Sequence, residues 1–140
     1  MSNALPISAE DLIPERLPMR LVDQLLEVEG ENAVVGARVD GDCPLVDETG
    51  KLEDIALVEL IAQAYAALKG YLDRLQNKPV RQGFLVGIKK LAKLETVRAG
   101  DDLRIEIETL AELEDFAVAE GQVWRDSQLI DRGEIKVWIN

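Results

Sequence analysis

Glu59 and Gln63 stand four residues apart in a stretch otherwise dominated by Ala, Leu, Ile and Val. In a helix that spacing stacks both side chains on one face. Ile55, Leu60, Ile61, Ala62, Ala66 and Ala67 surround them with apolar groups, and a carboxyl desolvated in this way suits proton transfer. Gln63 reads as the orienting or ligand-bonding companion of Glu59. Spacing alone also admits a helix edge reaching solvent at a dimer seam, a buried Glu satisfied by backbone, or a polar helix contact at Gln63.

The chain contains no histidine and one cysteine, Cys43. That removes the Ser-His-Asp triad, the Cys-His pair and His-based metal sites. One cysteine also excludes an intramolecular disulfide and a CxxC pair. Acid–base chemistry is left to carboxylates, Lys, Tyr, Cys43 or bound water. A Cys43 thiolate near a helix amino end is a candidate base or nucleophile; its alternative is a small buried hydrophobe.

Asp40, Asp42, Asp47 and Glu48 form an acidic loop that misses EF-hand spacing and reads as solvated. Asp47 or Thr49 is placed to cap the following helix. No metal or other cofactor is expected. Free amides at that helix start, around residues 53–55, would polarise a carbonyl, although Glu53 and Asp54 oppose a developing anion. Lys89, Lys90 and Lys93, with Arg81 and Arg98 nearby in sequence, are the main basic concentration. They read either as a docking patch for an acidic partner or as protection of a strand edge.

These residues need a scaffold, and 140 residues suffice for a single domain, 1–140, with one core. Sixteen basic against twenty-seven acidic residues give a net charge of −11, which argues against nucleic acid or an anionic membrane as partner. The first residues show no basic region followed by an apolar run, so no signal peptide and a cytoplasmic location are expected.

Residues 8–13 read as a short helical turn capped by Ser8. Residues 20–29 and 33–39 read as a hairpin turning at 30–32. Residues 53–75, with only Gly70 as a weak point, read as a helix buried on nearly all sides and ended by Asn77-Lys78-Pro79. Charges within this run argue against a membrane span. Residues 81–94, 102–110, 116–125 and 128–139 read as strands, the last two joined by a tight turn at Asp126-Ser127. The fold class is therefore α+β, with an antiparallel sheet curved around one long helix.

Ile13-Pro14-Glu15-Arg16-Leu17-Pro18 with Leu21-Val22-Asp23, Val58-Glu59-Leu60-Ile61-Ala62-Gln63-Ala64, and Phe84-Leu85-Val86-Gly87-Ile88 with Val97-Arg98-Ala99-Gly100-Asp101 occur in this order. Together they resemble the hotdog-fold β-hydroxyacyl-acyl carrier protein dehydratases. The resemblance implies a hotdog fold, a dimer or higher oligomer with interface tunnels, and an acyl thioester of acyl carrier protein or coenzyme A as substrate. It implies that Glu59 is the helix carboxylate of the family's His/Glu pair. Gln63, Phe84, Gly87 and Ile55 are then expected to line the thioester tunnel, and Lys89, Lys90 and Lys93 to dock the carrier.

This sequence departs from the family where the catalytic His-Phe-Pro-Gly would lie. Asp42-Cys43-Pro44-Leu45-Val46 stands there, and Leu52-Glu53-Asp54-Ile55 replaces the Pro-Gly at the helix start. Cys43 thus falls at the place of the missing His, opposite Glu59. Three functions remain open: a dehydratase-like enzyme with a water or second subunit in place of the His, a thioesterase in which Glu59 activates water, and a non-catalytic hotdog subunit beside an active one.

Overall fold

The computed structural model describes residues 2–79 and 81–139. Among these the chain order is β1 (Ile7–Ser8), a 3-10 turn (Ala9–Asp11), β2 (Gln24–Glu29), β3 (Asn32–Arg38), α1 (Asp54–Leu75), β4 (Gly83–Lys93), β5 (Asp102–Leu113), β6 (Phe116–Arg125) and β7 (Gln128–Ile139). The strands form one antiparallel, unclosed sheet in the order β1-β2-β3-β5-β6-β7-β4. This is the α+β hotdog arrangement, a sheet wrapped around a central helix.

Strand periodicity builds the wrapping face. In β5, Leu103, Ile105 and Ile107 are buried while Arg104, Glu106 and Glu108 are exposed, the period of two that puts alternate residues on one side. Val35, Ile105, Val123 and Ile135 join Leu60, Ile61, Ala64 and Leu68 of α1 in one core. Burying each such aliphatic side chain stabilises the fold by roughly 1.5–3 kcal/mol. The helix is long and apolar enough by composition to cross a bilayer, but most of its apolar surface is covered by the sheet.

Helix and sheet approach closely where Gly121 and Gly133 pair across β6 and β7. A Cβ on Gly121 would stand 2.4 Å from Ile61 Cγ2. At its end α1 is closed by Asn77, whose φ of 56° lies in the left-handed region. This lets the Lys78 N–H reach the Asp73 carbonyl at 2.8 Å.

Several sequence expectations need correction. Ser8 gives no side-chain cap; it pairs with Gln24 in β1–β2. The strand expected from residue 20 begins at Gln24, because residues 19–21 are held to α1 by Gln63. The strand expected to stop at 110 runs to Leu113 across an irregularity between Thr109 and Ala111. Asp47 does not cap α1. Its Oδ1 accepts from the N–H groups of Thr49 and Lys51 and from the Thr49 hydroxyl, closing a local turn.

Candidate functional site

Glu59 and Gln63 share one face of α1, as their spacing dictates. Both ends of the buried Gln63 amide are hydrogen-bonded. Its Oε1 accepts from Leu21 N–H at 2.7 Å, and its Nε2 donates to the Met19 carbonyl and to Glu59 Oε1, both at 3.0 Å. An amide nitrogen has two hydrogens, so Gln63 has none left for a ligand. It orients Glu59 and fastens the 19–21 segment to the helix.

That face opens into a cavity of about 150 Å³, whose walls include Glu59, Gln63 and Ala66 of α1, Leu85 of β4 and Ile139 of β7. The remaining wall is Pro14 and Glu15. Their segment reaches the helix because Leu12 and Ile13 are buried and Gly70 has no side chain. A Cβ on Gly70 would meet the Leu12 carbonyl oxygen at 2.1 Å.

Glu15 Oε2 is buried and has no hydrogen-bond partner among the described residues. Burial pushes the Glu15 carboxyl above the usual carboxylate range; its own backbone N–H and the Arg16 charge oppose the rise, and the charge of Glu59 adds to it. Tyr65 also lines the cavity, with its hydroxyl buried and unpartnered among the described residues; burial raises its pKa above the ordinary phenol value. The two cations of this cavity are already engaged. Arg81 forks onto Asp73 at 3.1 and 2.8 Å, and Lys69 pairs with Glu112.

Cys43 lies elsewhere. It lines a second cavity, of about 670 Å³, together with Arg20, Asp23, Asp42, Leu52 and Leu60. Glu59 and Leu60 project about 100° apart around a helix of 3.6 residues per turn, so they serve different cavities. The expected juxtaposition of Cys43 with Glu59 is therefore not formed within one chain.

Of the residues expected to line the tunnel with Glu59, Gln63 alone reaches its cavity. Phe84 pairs with Trp138 on the sheet face turned away from α1, their ring centroids 5.8 Å apart. The helix side belongs to its neighbours Gly83 and Leu85, since adjacent strand residues point to opposite faces. Gly87 pairs with Lys136, on the same outer side as Phe84. Ile55 is 61 % exposed on the first turn of α1.

Lys89 and Lys90 are exposed on β4, whereas Lys93 donates to Asp54 at 2.7 Å. That contact lowers the Asp54 carboxyl and raises the Lys93 ammonium. Asp54, expected to oppose an anion at the helix start, is thus countered by a cation. Among the described residues no group of three or more Cys, Asp or Glu side chains is arranged to hold a metal ion.

Sequence spacing passed over Glu15. It lies 59 − 15 = 44 residues from Glu59, beyond any local periodicity, and only the packing of residues 12–15 on α1 joins the two.

Residues 7–140 match the family model described as ApeP-like, ApeP dehydratase. The chain is 30% identical over 134 residues to the 3-hydroxyacyl-acyl-carrier-protein dehydratase FabZ of Bacillus pumilus, covering 86% of this chain and 89% of that protein. It superposes on a chain of the dehydratase heterocomplex ApeI:P from Xenorhabdus doucetiae with a TM-score of 0.88 at 20% identity, over 94% of this chain and 90% of that one. A hypothetical thioesterase from Streptococcus pneumoniae, solved with coenzyme A, shares the fold at a TM-score of 0.65 and 13% identity, over 83% and 84% of the two chains.

Proposed function

The chain belongs to the ApeP-like dehydratase family, and on that premise we propose that it binds a 3-hydroxyacyl thioester at the Glu59 cavity and takes part in removing water to give the 2-enoyl thioester. The observation that carries this reading is the Glu59–Gln63 pair at a cavity bounded by α1, β4 and β7. A carboxylate held by one amide donor at the wall of a cavity suits proton transfer at a carbon beside a thioester carbonyl. The thioester is carried by acyl carrier protein or coenzyme A.

The same reading makes β4 an assembly seam. It is an edge strand whose outer backbone groups have no strand partner among the described residues, and it exposes Phe84, Leu85, Val86, Ile88 and Leu91. Such an edge is ready for pairing with another chain.

Glu59→Gln tests the function. Turnover of a 3-hydroxyacyl thioester is expected to fall at least about 100-fold, in the range of lost general acid–base catalysis, with thioester binding retained. Unchanged turnover would overturn the role of Glu59, and faster turnover of saturated acyl thioesters would favour hydrolysis.

The absence of histidine supports a second reading, in which the chain works as one subunit of a mixed assembly; the heteromeric state of the ApeI:P complex points the same way. The two readings separate on whether the purified chain turns over 3-hydroxyacyl thioester alone or only beside a histidine-containing hotdog partner.

A further inference from the structure

We infer that Glu15 is the second acid–base group of this cavity, paired with Glu59 so that two carboxyls supply both proton transfers of dehydration. The inference rests on the dehydratase reading above and deepens it.

Dehydration needs a base for the C2 proton and an acid for the leaving hydroxyl. Glu15 and Glu59 line one cavity from different elements. Neither has an ion-pair partner among the described residues. The charged groups around Glu15 leave them so. Lys69 and Asp73 of α1 and Arg81 before β4 are engaged with Glu112 and with each other. Arg16, on the same segment, donates to the carbonyls of Ile13 and Glu15 rather than to a carboxylate.

Two neighbouring carboxyls without an ion-pair contact divide their roles by environment, one keeping its proton. Glu15, with a buried and unpartnered oxygen, is the one placed to hold the proton. Glu59, already an acceptor from Gln63, is the one suited to be the base.

The step balances within the pair. Glu59 removes the C2 proton, and that electron pair forms the C2–C3 double bond. The C3–O bond breaks as Glu15 gives its proton to the departing hydroxyl, which leaves as water. Proton return from Glu59 to Glu15 restores the starting state. No other reactant is consumed.

The test uses the full chain, with whatever partner it assembles with, and a 3-hydroxyacyl pantetheine thioester as probe. Glu15→Gln is expected to lower kcat about 100-fold or more with KM within about twofold. Wild-type rate should fall as rising pH removes the Glu15 proton. Glu15→Asp should keep a displaced version of that limb, and Glu15→Gln should lose it.

An activity-independent arm follows the Glu15 carboxyl by carbon-13 NMR titration. Glu59→Gln is expected to lower its midpoint, because one neighbouring negative charge is gone. An unmoved midpoint overturns the pairing. Wild-type turnover with kcat unaffected by Glu15→Gln overturns this inference alone and leaves the dehydratase reading intact. Absent wild-type turnover with the midpoint still coupled overturns the dehydratase reading and with it the catalytic role, while the pair itself stands.

Discussion

Asp131 shows how a single residue can set the pH response of this fold. It is 0 % exposed on β7, and both carboxyl oxygens lack a hydrogen-bond partner among the described residues. Burial pushes it from the ordinary 3.8 up to about 6; the adjacent Arg132 backbone N–H opposes the rise, nearby Asp54 adds to it and Lys93 opposes it. The folded chain therefore keeps this proton to higher pH than the unfolded chain does. Stability from this group is fully present below about pH 4 and is lost as pH rises through about 6, a change of roughly 2–3 kcal/mol. Asp131→Asn abolishes the titration. Its stability relative to wild type should improve by about 2 kcal/mol between pH 4 and pH 8 in urea unfolding; a difference that does not vary with pH would show that Asp131 does not titrate in this window. The identity of Asp131 was plain in the sequence, but its burial was not. It falls in a strand that reads as half-polar, beside Lys93, which is distant in sequence.

At the scale of elements, the contact of α1 with the sheet depends on a missing side chain. Gly121 sits under Ile61, and an added Cβ would be 2.4 and 2.8 Å from its Cγ2 and Cγ1. Gly121→Ala should destabilise the fold by about 1–3 kcal/mol through overpacking. In an Ile61→Ala background the same change should cost clearly less, because Cγ2 and Cγ1 are gone and only the residue 61 Cβ, at 3.1 Å, stays close. Additive costs in this double-mutant cycle would place the strain elsewhere. Element boundaries were legible where the local signal was strong. The spacing predicts a helix over 53–75 against the observed Asp54–Leu75, and strands at 116–125 and 128–139 match β6 and β7. They failed just before β2, where the Gln63 side chain of α1 takes the Leu21 N–H and the Met19 carbonyl, Arg20 N–H turns back to Arg16, and only Asp23 reaches Gly36 of β3.

The whole molecule presents one long edge, β4, whose residues are exposed or half-buried throughout. It pairs with β7 along one edge, its other edge has no strand partner among the described residues, and Phe84, Val86, Ile88 and Leu91 are exposed along it. Covering them is the work assigned to a second hotdog chain. The double substitution Val86→Lys, Ile88→Lys is expected to shift the protein to the 15.5 kDa monomer in light scattering at micromolar concentration. Wild-type protein that is already monomeric would remove the seam. A variant that stays oligomeric would move the interface to another face.

The sequence by itself determined an α+β layout of one long helix and an antiparallel sheet, because the 3.6-residue and two-residue periods that build α1 and the later strands are local properties of the chain; the hotdog arrangement of these elements was implied by the resemblance of its motifs to a known family. The sequence also determined that Glu59 and Gln63 share a face and that this chain itself supplies no histidine. Only the tertiary structure decided which distant groups meet. It brought Glu15 to Glu59, sent Cys43 to a different cavity and turned Phe84 to the outer face. The physical reason is that such meetings depend on sheet register, on the side of the helix each residue takes, and on where a glycine lets two segments touch. None of these is encoded within a few neighbouring residues.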